Sequence, residues 1–193
     1  MTRLVGPLRQ VGIIVDDIDA AMLHWAHVVG VGPFVVFRHL EFDEDYRYRG
    51  SSAKPPVTSV AVGHSAGLQV EIIQQHNDAP SAYRDFLEAG RTGLQHVSSW
   101  FDDPAQYDSA HQRLLDRGLT LVHEGRAAGG PCRFAYFCGA GDAWPQIEIS
   151  EALIPSVKPL SDFLIAQAAI WDGTNPILDI NEVIPLIYGE LEA

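Results

Sequence analysis

Hydrophobic and polar positions along the chain change their period twice in the same way. Residues 10–17 alternate like a strand and end in an Asp-Asp pair, after which residues 18–29 follow a helical pattern. Residues 96–103 alternate in the same manner and also end in an Asp-Asp pair, before a helical pattern over residues 104–117. One aspartate of each pair is suited to cap its helix. The two stretches therefore predict the same strand–helix unit twice.

Three strand-like segments follow each helical stretch, separated by turns that contain Gly and Pro. They cover residues 34–40, 57–62 and 68–74 in the first half and residues 119–123, 133–137 and 146–150 in the second. The last segments also match in sequence, LQVEIIQ against PQIEISE. Because both ends of the unit match, we favour duplication over chance. The pattern predicts an α+β fold in which two tandem βαβββ modules, about residues 8–76 and 93–151, form one curved mixed β-sheet cup.

A C-terminal helical tail follows the predicted domain of residues 1–152. Within the extension of residues 153–193, residues 161–173 have a helical pattern with Ser161 as cap, and residues 181–191 predict another short helix. The apolar side of the first helix needs a surface to cover. The tail could pack on the sheet, cover the mouth of the pocket or join a dimer, and the sequence leaves these three open.

Four polar side chains occupy matched positions in the two modules. Strand residues alternate between the two faces of a sheet, and Gln10 and His96 lie on the less apolar faces of their strands. Glu71 and Glu148 lie on the less apolar faces of the strands that close the modules. If the modules pair into one sheet, we expect all four to converge in the cup.

The chemistry of this set predicts a metal site. Two carboxylates that are buried side by side repel each other, and loss of water raises their pKa values. A divalent cation removes both penalties. An imidazole, two carboxylates and an amide oxygen form a mixed nitrogen and oxygen set that suits Zn, Ni, Co, Mn or Fe.

Composition narrows the classes of partner. With 13 Lys+Arg against 25 Asp+Glu, the net charge of −12 argues against nucleic acid as a partner. No apolar run approaches the roughly 20 residues that span a bilayer, so no membrane association is expected. The first residues have no apolar leader segment, which predicts a cytoplasmic protein. The two cysteines, Cys132 and Cys138, are expected to be reduced.

The chain resembles the vicinal oxygen chelate superfamily, whose members have paired βαβββ modules and include lactoylglutathione lyase, methylmalonyl-CoA epimerase, extradiol dioxygenases, fosfomycin-resistance transferases and bleomycin-binding proteins. The resemblance implies that Gln10 and His96 are the first-strand metal ligands. It implies that Glu71 and Glu148 are the ligands that close the modules. Many members have His where this chain has Gln10, and Gln at that position has precedent among lactoylglutathione lyases.

The function that the resemblance implies is that of a metal-dependent lyase or isomerase. It would act through a metal-stabilised enolate of a small or medium carbonyl compound. Glu148 is the first choice for the catalytic base and Glu71 the second, and a role of both as ligands alone stays open. Trp100 shares a strand face with the predicted histidine ligand. Tyr46 and Tyr48 lie where members of the family often build a pocket wall, so all three are candidates for the substrate pocket. A solvated hairpin for the two tyrosines and a plain core role for Trp100 stay open.

Two other functions stay open at this point. The first is a metal-free binding protein that sequesters a ligand, as bleomycin-resistance proteins do, because an acidic cup would attract a cation. The second is an extradiol-type dioxygenase, which needs two histidines and one carboxylate around Fe(II). Gln10 in place of a histidine lowers that option. A homodimer is one of the assemblies that the sequence allows.

Overall fold

The computed structural model of the chain describes residues 4–127, 130–140 and 145–189. The strands are β1 (Leu8–Ile14), β2 (Phe34–Glu41), β3 (Arg47–Tyr48), β4 (Ser51–Ser52), β5 (Val57–Ser65), β6 (Leu68–Gln75), β7 (Gly93–Trp100), β8 (Thr120–Arg126), β9 (Arg133–Cys138), β10 (Gln146–Ser150) and β11 (Ile177–Asp179). The helices are α1 (Ile18–His24), which continues into a π-helical turn (Trp25–Val29), α2 (Ala82–Glu88), α3 (Pro104–Asp116), α4 (Lys158–Ile170) and α5 (Ile180–Tyr188).

The strands form one mixed sheet in the order β11-β2-β5-β6-β1-β7-β10-β9-β8-β3-β4. The first strands of the two modules, β1 and β7, are antiparallel neighbours at its centre. Each of them is also parallel to the closing strand of its own module, β6 or β10. This arrangement confirms the predicted α+β fold with two βαβββ modules in one sheet.

The strand register is the same in both modules. In the first module Gln10 pairs with Gln69, two residues ahead of the glutamate in β6. In the second, His96 pairs with Gln146, two residues ahead of the glutamate in β10. Because side chains alternate along a strand, this shared register brings the four predicted ligands to one face of the sheet. We call it the inner face.

Aspartate caps start the helices that follow β1 and β7. The Asp17 carboxylate accepts a hydrogen bond from Ala20 N at 3.0 Å, and Asp103 accepts one from Ala105 N at 2.8 Å. In each Asp-Asp pair it is therefore the second residue that caps the helix. Pro104 occupies the first turn of α3, where its missing N–H leaves no bond unmade.

The two module helices pack against the outer face of the sheet. In the first module Ile18 and Met22 of α1 contact Ile13 and Ile72. In the second, buried side chains of α3 cover Ile149 of β10 together with parts of β9. These apolar positions alternate with the polar inner-face positions, which is why the polar set can lie together without interrupting the core.

Two features of the first module depart from the sequence pattern. A helix that the pattern did not predict, α2, lies between the modules and packs Tyr83 and Phe86 with Ile73 and Tyr136. The β3–β4 hairpin crosses to the far edge of the sheet and pairs with β8 of the second module. Both features depend on contacts between residues far apart in the sequence, and the local pattern of polar and apolar residues carries no signal of such contacts.

The C-terminal extension packs on the edge of the first module. Its strand β11, which the sequence did not predict, runs parallel to β2. The helix α4 begins at Lys158, so the expected cap at Ser161 was wrong; Ser161 lies inside the helix and is buried. The helix α5 ends at Tyr188, and the predicted end at Leu191 lies outside the described residues. The domain division at residue 152 stays a prediction.

None of the helices in the described parts of the chain is both long enough and apolar enough to cross a bilayer.

A glycine at the centre of the sheet makes room for the imidazole of His96. Gly12 of β1 lies opposite His96 of β7. A Cβ atom at position 12 would lie 1.7 Å from His96 Cε1 and 2.0 Å from its Nε2. His96 is fully buried. The ring therefore fills the space that any other residue at position 12 would occupy.

We expect Gly12→Ala to destabilise the protein by about 1–3 kcal/mol, the usual range for an extra methyl group in a packed core. The added Cβ must displace the His96 ring, since the two cannot share the space. Chemical denaturation measures the change. Gly67→Ala is the matched control, because a Cβ at position 67 meets no atom within 4 Å. Equal effects of the two substitutions would contradict the close packing at Gly12.

The buried His123 predicts acid sensitivity of the fold. Burial, with a smaller contribution from His96, lowers its pKa to about 3 from the ordinary value of 6.5. The unfolded chain thus binds a proton that the folded chain does not. The associated stability is complete above pH 6.5 and is lost as the pH falls toward 3.

In His123→Gln, we expect the slope of unfolding free energy against pH between those values to be shallower by about 1.4 kcal/mol per pH unit. Denaturant titrations at several pH values measure the slope. Replacing the exposed His24 in the same way controls for the loss of an imidazole. An unchanged slope in His123→Gln would show that His123 does not couple folding to protons.

Candidate functional site

Three of the predicted ligands meet on the inner face of the sheet. His96 Nε2 lies 3.2 Å from Glu71 Oε2 and 3.4 Å from Glu148 Oε2. One ligand atom from each residue can be chosen so that all three lie within 4.8 Å of one another. They come from β6, β7 and β10, and the pairing of β1 with β7 brings the two modules together. The fold thus assembles one imidazole and two carboxylates from both halves of the chain.

The contact of His96 Nδ1 determines which ring nitrogen carries the proton. His96 Nδ1 lies 2.7 Å from the side-chain oxygen of Gln95, which can only accept a hydrogen bond. The proton of a neutral ring therefore sits on Nδ1 and leaves the lone pair of Nε2 directed at the carboxylates. This is the form in which histidine binds a metal ion.

A β-bulge explains why neighbouring residues can make this bond. Gly12 pairs with His96 and Ile13 pairs with Leu94, so Gln95 is the extra residue on β7. A bulge changes the direction in which a side chain points. Simple alternation would place Gln95 and His96 on opposite faces, which is why the sequence pattern missed Gln95.

The electrostatics of Glu148 reflect its burial beside a second carboxylate. Burial, opposed in part by His96 and reinforced by Glu71, raises the pKa of the Glu148 carboxyl to about 7. The two carboxylates repel each other in a region with little water. A cation relieves that repulsion and desolvation.

The fourth predicted ligand, Gln10, is held by a chain of amide contacts. Its Nε2 donates to Gln69 Oε1 at 2.7 Å, and Gln69 Nε2 lies 3.2 Å from His64 Nε2. Burial lowers the pKa of His64 to about 4, so its neutral ring can accept that bond. These contacts orient the Gln10 amide and leave its Oε1 buried without a hydrogen-bond partner.

The residues present fit a metal ion. Buried oxygens without a hydrogen-bond partner include Gln10 Oε1, Glu71 Oε2 and Glu148 Oε2. Buried oxygens normally have partners, so three such atoms on predicted ligand residues need an explanation. With His96 Nε2 they form the mixed nitrogen and oxygen donor set that suits a divalent transition-metal ion.

Two tyrosines that the sequence did not single out border the cluster. The Tyr136 hydroxyl lies 3.3 Å from His96 Nε2, and the Tyr83 hydroxyl donates to Tyr136 at 3.1 Å. Burial, together with the nearby Glu71 and Glu148, raises the pKa values of both phenols well above 10. They therefore stay protonated. Both lie on elements that only the folded structure brings to the site.

A cavity of about 540 Å³ opens on the cluster and is lined by Gln10, Glu71 and Glu148 among others. Trp100 lines it too, in keeping with its face on β7. Most of the remaining wall is aliphatic or aromatic. Mostly apolar cavities of this size with a few convergent polar groups are typical of small-molecule sites.

Tyr46 and Tyr48, the other two pocket candidates, have different surroundings. Tyr46 is fully buried, and its hydroxyl lies 2.9 Å from the Pro80 carbonyl oxygen and 3.0 Å from His123 Nδ1. The Tyr48 hydroxyl donates to Asp85 at 2.8 Å. Neither is among the described residues that line the cavity. The hairpin that carries Tyr48 instead joins the first module to the far edge of the sheet.

Comparisons with solved structures place the fold among known proteins. Methylmalonyl-CoA epimerase from Mycobacterium tuberculosis is similar with a TM-score of 0.52 at 23% identity, over 78% of this chain and 91% of that chain. A hypothetical protein from Bacillus halodurans is similar with a TM-score of 0.53 at 14% identity, over 75% of this chain and 93% of that chain. At these identities the likeness is one of fold.

Comparison with curated protein sequences gave no significant match. Comparison with family models gave a match over residues 9–137 to the glyoxalase/bleomycin resistance protein/dioxygenase superfamily. The matched span runs from the second residue of β1 to the next-to-last residue of β9, and so covers most of both modules. The expected resemblance to the vicinal oxygen chelate superfamily is thereby confirmed, and the chain belongs to the glyoxalase/bleomycin resistance protein/dioxygenase superfamily.

Proposed function

We propose that this protein is a metal-dependent lyase or isomerase that moves a proton next to the carbonyl group of a small or medium-sized compound. One observation carries the proposal. Glu71 and Glu148 line a largely apolar cavity and meet at His96 Nε2, and one buried oxygen of each carboxylate has no hydrogen-bond partner. A structural role would not require two buried carboxylates to share an imidazole beside an empty volume.

Gln10, Glu71, His96 and Glu148 would hold the ion, which we propose to be Zn, Ni, Co, Mn or Fe. When bound, the ion supplies Lewis acidity that polarises a substrate carbonyl and so acidifies the adjacent C–H. Gln95 keeps the Nδ1 proton of His96 in place and leaves Nε2 available as a ligand atom.

The chain's own carboxylates supply the proton transfer. Glu148 lines the cavity, and its carboxylate has a second oxygen besides the proposed ligand atom Oε2, so it can take a proton from the carbon beside the carbonyl and return it. Glu71 has the same properties and is the second candidate for this role.

Two alternatives are less well supported. A metal-free binding protein would leave the unpartnered oxygens of Glu71 and Glu148 unexplained. An extradiol-type dioxygenase needs two histidine ligands, and the cluster found in the described part of the chain offers His96 alone. The shared fold with methylmalonyl-CoA epimerase adds no information about the substrate.

We expect the protein, purified without chelator or affinity-tag nickel, to contain close to one divalent transition-metal ion per chain. His96→Ala should abolish stoichiometric binding, because it removes the nitrogen ligand. Gln95→Leu should weaken binding by about 10- to 100-fold, the usual effect of losing the group that orients a ligand histidine. Elemental analysis and calorimetric titration of the chelated protein measure these outcomes.

Gln112→Leu is the matched control for Gln95→Leu, because Gln112 is a glutamine on the exposed side of α3 whose side chain donates to Asp116 at 2.8 Å. It should bind metal like the wild type. If the purified protein holds no stoichiometric metal and His96→Ala binds small-molecule ligands as the wild type does, the metal-free binding protein is favoured instead.

We also expect the metal-loaded protein to exchange the hydrogen beside the carbonyl of an acyloin, from acetoin upward in chain length, for deuterium in heavy water. Glu148→Gln should lower the exchange rate by at least the roughly 100-fold that a general base contributes. Nuclear magnetic resonance follows the exchange, and metal content is measured on the same samples.

Glu88→Gln, at an exposed site on α2, is the matched control and should exchange like the wild type. Full-rate exchange in Glu148→Gln would exclude Glu148 as the base. Loss of exchange in Glu71→Gln alone, with metal retained, would transfer the role to Glu71.

A further inference from the structure

The C-terminal extension forms part of the cavity wall, which connects a segment outside the two modules with the site. The aliphatic and aromatic lining residues that it contributes are Val157, just before α4, Leu160 of α4, and Ile180, Ile184 and Tyr188 of α5. The Tyr188 hydroxyl donates to the Ser156 carbonyl at 2.9 Å and so ties the end of α5 to the segment before α4. The extension therefore shapes the volume in which a substrate would lie.

This wall is fixed to the sheet by both hydrogen bonds and packing. Strand β11 pairs with β2, and the extension's Leu164 and Val183 are almost fully buried. They pack against Val35 and Val62 of the first module. The wall is thus an integral part of the core, and its apolar lining is a fixed property of the site.

The charges around the cavity restrict what it can hold. Among the described residues that line it, the charged side chains are Glu71 and Glu148, and none is a lysine or arginine. A phosphate or carboxylate group inside this cavity would lose its water and find no basic side chain to compensate, since the charge of a divalent ion held by Glu71 and Glu148 is already offset by these two carboxylates. Coenzyme A thioesters and glutathione conjugates carry such groups.

We infer that the cavity takes an uncharged, hydrophobic carbonyl compound whose apolar body packs against the C-terminal wall. The role of the carbonyl rests on the proposed function, whereas the binding of the apolar body does not. A cavity of about 540 Å³ has room for a compound with a substantial apolar part. Ile184 is then a specificity-determining residue, since it contributes aliphatic surface to the wall from the middle of α5.

Neutral methyl ketones of increasing length, from butanone through octanone to dodecanone, test this inference. Their affinities are measured by displacement of Nile red from the full chain, both metal-loaded and chelated. Affinity should rise about fourfold with each added methylene until the cavity is full, as expected for burial of apolar surface. Octanoate and octanoyl-CoA, which carry the same chain length with negative charge, should bind at least tenfold more weakly than the ketone of that length.

Two substitutions on one helix form a matched pair. Ile184→Glu places a charge in the wall and should weaken binding of the long ketones at least tenfold. Leu186→Glu introduces the same charge on the exposed side of α5, where Leu186 is 72% exposed, and should change binding less than twofold. Circular dichroism and denaturation of both variants confirm that they fold.

Affinity that does not rise with chain length in the wild type would overturn the inference, and so would tighter binding of octanoyl-CoA than of the ketones. Equal effects of Ile184→Glu and Leu186→Glu would overturn the assignment of Ile184. The chelated protein separates this inference from the proposed function. Chain-length-dependent ketone binding by a protein that neither takes up stoichiometric metal nor exchanges the hydrogen contradicts only the proposed function. Metal binding and hydrogen exchange, together with ketone affinities that do not depend on chain length, contradict only the inferred substrate class.

Discussion

The fit of the His96 ring over Gly12 is the contact on which the centre of the molecule depends. It lies where β1 and β7 join the two modules, so the space left at position 12 and the position of the imidazole are set by the same strand pairing. The two modules share their register, but this detail is not duplicated. The position in β7 that matches Gly12 is Ser98, and it pairs with Gln10. A nearly symmetric frame thus holds an imidazole on one side of its axis and an amide on the other.

Around that contact, the sheet separates two kinds of burial. The outer face is covered by α1 and α3 with ordinary apolar packing. The inner face buries carboxylates, amides and phenols, whose desolvation is unfavourable without partners. Bonds such as Gln10 to Gln69 and His96 to Gln95 offset part of that penalty. The desolvation penalty that remains falls on carboxylate oxygens that lie close together. This is the arrangement expected of a cation-binding site.

Much of this frame could be predicted from sequence because it follows from period and repetition. Alternation placed Gln10 on the face opposite the apolar residues of β1, and the repeat related Glu71 to Glu148. Alternation failed at Gln95, where a bulge adds a residue to β7 and turns the side chain toward its neighbour.

Tertiary contacts account for the other features that the sequence did not predict. The helix α2 is a short element whose Tyr83 is buried only because the second module supplies Tyr136 beside it. Strand β11 is three residues long and gains its hydrogen bonds from the edge of β2. Neither has a local period long enough to detect. Tyr46 and Tyr48 likewise make contacts away from the cavity, because their hairpin pairs with a strand far away in sequence.

The modules and the C-terminal extension build the cavity together. The candidate metal ligands and part of the apolar wall therefore come from different parts of the chain. The four candidate ligands lie within the repeated modules, where a change in register would disturb both halves of the sheet at once. Part of the apolar wall comes from the extension, which has no counterpart in the repeat and joins the sheet through β11 and β2. Substitutions or exchanges in α4 and α5 can therefore reshape the pocket without touching a ligand, which gives evolution and protein engineering a way to change selectivity while the reactive centre is kept.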